Sequence, residues 1–372
     1  MTFPSGGILH PGKFLITSLS GPELNAEEEK FLRTVRPSGV ILFARNLVDI
    51  LQIQNLIRAI RKTATPPPTL WLDQEGGRVQ RIRRPLTPYP SPGRFAELEQ
   101  SDPVQAELLS RQAGWLSGRE MITLGIGINC APVLDIREAQ ANPVIAERAF
   151  GWDPQQVVRL AGAWLKGFTA AGGLAVGKHF PGHGAARADS HKSLPCVVKE
   201  RDLLERWELR PFQALLAQLP LIMTAHLVAT GVDPEQPATW SAPLLRDLLR
   251  RQWRYHGLVV TDALEMGALT GSLDRRAELS LRAGCDLVLC CTGRLEDATL
   301  VTAGIERVLQ EREAVSGWEE ISQRIDRILA PGRVEPGDMA ALLAHGEYRQ
   351  WRQTLEYLAS TPSAPDPTAP TT

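Results

Sequence analysis

Short apolar runs recur along the chain, each closing on a polar or small residue, and stretches of helical periodicity separate them. The runs are Phe14 to Leu19, Gly39 to Phe43, Thr69 to Asp73, Gly127 to Asp135, Leu174 to His179, Leu221 to His226, Leu258 to Asp262 and Asp286 to Cys291. Their β-branched content and flanking Gly and Pro predict strands rather than buried helix fragments. Between them, Leu51, Leu56, Ile57 and Ile60 space as one helical face. Val157, Val158, Leu160, Ala161, Trp164, Leu165 and Phe168 do the same. Glu200 to Leu219 reads as a helix with a proline inside it or between its turns. Ala277 to Gly284 reads as a short helix stopped by glycine.

Strands alternating with helices mean parallel βα units, in an open sheet or a closed barrel. Repetition to eight units predicts an α/β fold, a single (β/α)8 TIM-type barrel. Asp73, Asp135, Lys178, His179, His226 and Asp262 all fall at C-terminal strand ends, which share one face in a barrel. Gly125-Ile126-Gly127 and Gly182-His183-Gly184 lack the spacing of a dinucleotide fingerprint, and no Gly-Lys-Ser/Thr follows them. The barrel is expected over residues 1–330, which already contains a helix from Trp318 to Leu329. A C-terminal helical extension over 331–360 follows, with a break at Pro331 to Gly337 and one or two helices from Met339 to Leu358. Residues 361–372, rich in Pro, Ala and Thr, read as a disordered tail.

Composition narrows the function classes. Hydrophobic residues at 43% and charged ones at 22% describe a folded chain, neither disordered nor membrane-spanning. Lys+Arg 41 against Asp+Glu 42 leaves a net charge of -1, so no overall field favours nucleic acid. No stretch approaches the roughly 18 apolar residues of a spanning helix, and the N-terminal segment has no signal-peptide pattern. Five scattered cysteines suit buried thiols in a reducing cytoplasm better than a disulfide framework. The adjacent Cys290 and Cys291 point to opposite faces of a strand, a poor metal pair.

The densest polar cluster is Lys178-His179-Phe180-Pro181-Gly182-His183-Gly184, continuing to Asp189-Ser190-His191. Two chemistries compete for it. The histidines could ligate a metal, or one could act as acid/base with a carboxylate fixing its tautomer. Pro181 and Gly182 argue against a helical zinc pair, and Phe14 to Leu19 carries no His-x-His, so metal is the lesser reading. A second cluster, Asp73-Gln74-Glu75-Gly76-Gly77-Arg78-Val79-Gln80-Arg81, offers planar carboxylates and guanidiniums suited to hydroxyl-rich ligands. Its bland alternative is an ion-paired turn. Asp262 ends an apolar strand and would serve equally as a helix cap. Arg148 stands in Glu147-Arg148-Ala149-Phe150-Gly151, close to Asn142-Pro143.

Together these segments resemble the cytoplasmic β-N-acetylhexosaminidases of glycoside hydrolase family 3, from about Gly39 to about Thr292. KHFPGHGAARADSHKSLP is the most specific element, and DQEGGRVQR, APVLDI, NPVIAERAFG, TAH and TDALEM follow the same pattern. The resemblance implies Asp262 as nucleophile, His191 as general acid/base and Asp189 as its hydrogen-bonded partner. Asp73, Arg81, Arg148, Lys178 and His179 would hold the N-acetylglucosamine unit. It further implies release of terminal β-linked N-acetylglucosamine from recycled peptidoglycan fragments; the chemistry requires no cofactor, and a monomer is expected. Histidine, with an ordinary pKa of about 6.5, suits the acid/base role near neutrality. Two departures stand out: Ala185-Ala186 where many members have Asp-Thr, and no early proline after Ala225-His226. Phosphorolysis, β-glucosidase activity and silent sugar binding are the alternatives on the same fold.

Overall fold

The computed structural model describes residues 9–138, 144–186, 194–311 and 317–361. Its central strands are β1 (Leu15–Ser18), β2 (Gly39–Leu42), β3 (Thr69–Leu72), β4 (Ile128–Asn129), β5 (Leu174–Phe180), β6 (Leu221–Thr224), β7 (Leu258–Ala263) and β8 (Leu287–Leu289). Each runs parallel to its neighbours in sequence, and β8 returns to β1 with Leu15 opposite Val288, closing the barrel. The (β/α)8 architecture expected from the pattern is present.

Alternation along the strands sorts side chains to two cores. Ile16, Ile41, Trp71, Ile128, Val176, Met223, Val260 and Leu289, one from each strand, belong to one buried cluster. Their neighbours Val40, Leu70, Ile222 and Val259 belong to another, with Leu56, Leu116, Leu165 and Phe212 of the helical ring. That ring comprises α1 (Ala26–Val35), α2 (Ile50–Arg61), α3 (Pro103–Leu124), α4 (Pro154–Ala170), α5 (Arg210–Leu215), α6 (Pro243–Gln252), α7 (Leu273–Ala283) and α8 (Leu295–Gln310). Asp-Pro opens both α3 and α4. The Asp102 and Asp153 carboxylates accept the N–H groups of Gln105 and Gln156, and the proline fills the first turn, where its missing donor costs nothing.

Three local expectations are corrected. The buried face of α2 is Ile53, Leu56, Ile57 and Ile60, an i, i+3, i+4, i+7 set, whereas Leu51 is 66% exposed. Glu200 to Leu219 is not one helix: Arg201–Arg206 stops at Trp207, and α5 restarts with Pro211 in its first turn. The fourth strand is shorter than Gly127 to Asp135, because Pro132 has no N–H to give to a ladder. The chain still follows β5 through separate bonds, Lys178 N–H to Pro132 O (3.1 Å) and Leu134 N–H to Lys178 O (2.6 Å). That irregular path carries Asp135 up to the mouth of the barrel.

Beyond the ring lie α9 (Trp318–Leu329), α10 (Met339–Ala344) and α11 (Gly346–Ser360). The segment joining α9 to α10 runs against the start of β4, where a Cβ on Gly127 would come within 2.1 Å of Gly332 O. Only glycine fits there. Tyr348 of α11 is fully buried and donates to Glu120 of α3. Glu120 also accepts from Thr87 N–H (2.9 Å), Thr87 Oγ1 (2.6 Å) and Tyr89 OH (2.7 Å).

Candidate active site

One cavity of about 730 Å³ opens at the C-terminal ends of the strands. Asp73, Glu75, Arg81, Arg148, Lys178, His179 and Asp262 line it, together with Glu265. Asp73, Arg81, Arg148, Lys178, His179 and Asp262, singled out from the sequence, therefore converge. Asp189 and His191 lie outside the described residues.

The segment after β3 shows how the chain aims these groups. Gln74–Gly76 and Val79–Gln80 form a small antiparallel hairpin, turned by Gly76 and Gly77 at φ +106° and +57°. Positive φ at successive residues is open to glycine at little cost. The two glutamines tie the hairpin down. The Gln74 amide accepts from Arg81 N–H (3.0 Å) and donates to Ile82 O (2.6 Å), while its backbone pairs with the Asn129 side chain. Gln80 donates to Thr87 O (2.7 Å) and accepts from Tyr89 N–H (3.0 Å). With the even positions so anchored, Asp73, Glu75 and Arg81 turn to the cavity.

At the cavity floor, Lys178 Nζ is 2.9 Å from Asp73 Oδ1 and 2.7 Å from Glu75 Oε1. Arg81 reaches the other Asp73 oxygen at 3.1 Å. Arg148 donates to Glu75 through Nε and Nη2, each at 2.8 Å. Lys178 and Glu75 are almost fully buried. Burial opposes charge on all of these groups, but the partners prevail. Asp73 is held well below the usual carboxylate range by Lys178 and Arg81, and Glu75 is lowered by Lys178 and Arg148. Lys178 and Arg148 are raised by the same carboxylates. The result is a fully ionised, rigid set of donors and acceptors, suited to sugar hydroxyls.

Glu75 was missed as a site residue in the sequence reading, although a signal was there. Two acids spaced i, i+2 on an extended segment share a face. Asp135, expected at a strand end on the same face, takes a part that the sequence does not assign. Buried behind His179, its Oδ2 accepts His179 Nδ1–H at 2.6 Å, and its Oδ1 accepts the His179 and His183 backbone N–H groups at 3.2 and 2.6 Å. His179 Nε2 is thereby turned to Arg148 Nη2, at 3.4 Å. Burial works against the Asp135 charge, yet His179 and His183 keep its pKa low. Among the described residues no three His, Cys, Asp or Glu side chains are grouped as a metal site.

Asp262 lies near the end of β7, opposite β3 in the ring, and its Oδ1 accepts the Ala263 N–H at 2.8 Å. His226 is structural: Nε2–H donates to Ala263 O (2.9 Å) and Nδ1 meets Thr239 Oγ1 (2.7 Å). Burial pushes its pKa down, so it stays an uncharged brace beneath Asp262. Cys290 is buried in the barrel cluster while Cys291 faces the cavity, the opposed pair expected of strand neighbours.

A barrel with carboxylates on opposite strand ends and a floor of paired charges suits an enzyme class that works on sugars, and the family comparison agrees. The family described as glycosyl hydrolase family 3 N terminal domain matches residues 12–330, and the chain belongs to it. Within that family it groups with β-hexosaminidases. The one from Alkalilimnicola ehrlichii is 43% identical over 280 residues, covering 74% of this chain and 80% of that protein. The Pseudomonas aeruginosa protein is 39% identical over 296 residues, covering 79% and 86%. NagZ from Neisseria gonorrhoeae, solved with N-trifluoroacetyl-D-glucosamine, superposes with a TM-score of 0.82 at 30% identity, covering 93% of this chain and 98% of that one. A family 3 β-N-acetylglucosaminidase from a Paenibacillus species gives 0.84 at 31%, covering 94% and 68%. No helix among the described residues is long and apolar enough to cross a membrane.

Proposed function

We propose that the protein is a retaining exo-β-N-acetylglucosaminidase that removes terminal β-linked N-acetylglucosamine from peptidoglycan fragments, acting as a cytoplasmic monomer. The observation that carries this reading is the single cavity holding Asp262 across from the ion-paired Asp73, Glu75, Lys178 and Arg148. The similarity to β-hexosaminidases and to NagZ supports the sugar, and the free cysteine thiols suit a reducing compartment.

In this mechanism Asp262 attacks the anomeric carbon and forms a glycosyl-enzyme ester, while His191 protonates the departing oxygen. His191 then takes a proton from water, which attacks the same carbon and frees Asp262. Asp189 orients the imidazole and stabilises its charged form. Asp73, Arg81, Arg148, Lys178 and His179 fix the sugar so that its anomeric carbon meets Asp262. No cofactor enters.

The test is product analysis on peptidoglycan-derived disaccharide peptides beside β-glucosides, with wild type, Asp262→Ala and His191→Ala. Free N-acetylglucosamine is expected from the wild type and none from Asp262→Ala. His191→Ala should slow natural disaccharides far more than activated aryl glycosides, whose leaving groups need no proton. Full activity in Asp262→Ala would overturn the mechanism. A sugar 1-phosphate formed in phosphate buffer would make the reaction phosphorolysis.

A further inference from the structure

Glu120 of α3 is a fully buried acid that takes no part in the proposed reaction. It accepts three hydrogen bonds from one irregular segment, residues 87–90: from Thr87 N–H (2.9 Å), Thr87 Oγ1 (2.6 Å) and Tyr89 OH (2.7 Å). A fourth comes from Tyr348 of α11. Burial pushes the Tyr89 phenol well up, and the adjoining Glu120 adds to the rise, so Tyr89 keeps the proton it donates. A buried carboxyl is costly unless donors answer it, and residues 87–90 supply most of them. The segment is thereby fixed to α3.

The same segment also holds the hairpin that follows β3. Thr87 O accepts from Gln80 Nε2 (2.7 Å), Tyr89 N–H donates to Gln80 Oε1 (3.0 Å), and Tyr89 O accepts from Gly77 N–H (3.1 Å). The two lie so close that a Cβ on Gly76 would come within 2.3 Å of Pro90 O. Residues 87–90 form a strap, tied to α3 on one side and to the hairpin on the other. The hairpin carries Glu75 and is flanked by Asp73 and Arg81, so the strap sets where these three cavity groups stand. Asp262 stands on β7, across the ring. We infer that Glu120 is a positioning residue: acting through the strap, it holds the hairpin at the distance from Asp262 that the sugar requires. This rests on the N-acetylglucosaminidase reading, in which Asp73 and Arg81 hold the sugar. Loss of the strap should then weaken sugar binding and leave bond cleavage at Asp262 much less affected.

Two substitutions separate positioning from stability. Tyr89→Phe and Tyr348→Phe each remove one phenol donor from Glu120, the first on the strap side and the second on the α11 side. Both should lower Tm in calorimetry. Only Tyr89→Phe is expected to raise KM for 4-nitrophenyl β-N-acetylglucosaminide at 25 °C, by about 3- to 10-fold with kcat within about twofold. Glu120→Ala should raise KM by more than about tenfold, and Glu120→Gln, whose carbonyl still accepts from Thr87, should recover most of that loss. Equal KM changes in the two tyrosine variants, or none in Tyr89→Phe, would overturn the inference, since Glu120 would then serve the fold alone. A fall in kcat with KM intact would overturn it too. A wild type inactive on this substrate would instead sink the N-acetylglucosaminidase reading before any variant is compared.

Discussion

Lys178 is a buried ammonium answered by two carboxylates, and its removal would leave Asp73 and Glu75 undercompensated. Breaking such a buried set by deleting one member costs about 3–5 kcal/mol, so Lys178→Met should show a clearly lowered midpoint in urea unfolding. The variant should also respond differently to acid. Asp73 and Glu75 are held below the ordinary carboxylate range. Their ion-pair stabilisation is therefore complete above about pH 4 and fades only as pH falls through the lower folded values. Without Lys178 those folded values rise, and N-acetylglucosamine binding should fail at higher pH than in the wild type. Calorimetric affinity between about pH 4 and pH 7 checks this, and identical acid limbs would remove Lys178 from the account. Asp73, Arg81 and Lys178 were legible in the sequence because each closes a strand or follows a Gly-Gly turn. Glu265 was not, because nothing in TDALEM tells that its fifth residue, two past the end of β7, meets the Cys291 backbone. Contacts between distant loops exist only after the barrel has closed.

At the scale of elements, strands were easier to place than helix faces. A strand needs only alternation and a polar end, and β2, β3, β6 and β7 appear within a residue or two of expectation. The helix α2 was placed correctly, yet its face was drawn through exposed Leu51 instead of Ile53, because apolar residues outnumber the buried positions there. The junction of α3 with α11 had no sequence signal, since Glu120 and Tyr348 lie 228 residues apart. There, burial pushes Glu120 up against the donors that would keep it charged. Tyr348→Phe removes one of those donors from a buried acceptor, which should cost about 1–3 kcal/mol. Differential scanning calorimetry should record a Tm lower by several degrees, with sugar hydrolysis at 25 °C unchanged. An unaltered Tm would mean that α11 is held by its apolar contacts alone.

For the whole molecule, the arrangement puts every cavity group on one rim and leaves the other rim to packing. Trp71, Val176, Val260 and their partners are packed together inside the barrel. The Arg45 clasp joins this rim at its seam, reaching Ser18 at the end of β1 and Cys291 after β8 across 246 residues of sequence. During synthesis Arg45 leaves the ribosome long before its Cys291 acceptor exists, and β1 waits just as long with one edge open. The sugar cavity is then among the last features a nascent chain acquires. A chain ending at Cys285 should bind no N-acetylglucosamine in a fluorescence titration and should precipitate through the uncovered edge of β1, as unpaired strands do. Binding by that fragment would show the seam to be dispensable. The enzyme thus gains activity in one late step, when the final strand closes the circle that the first strand opened.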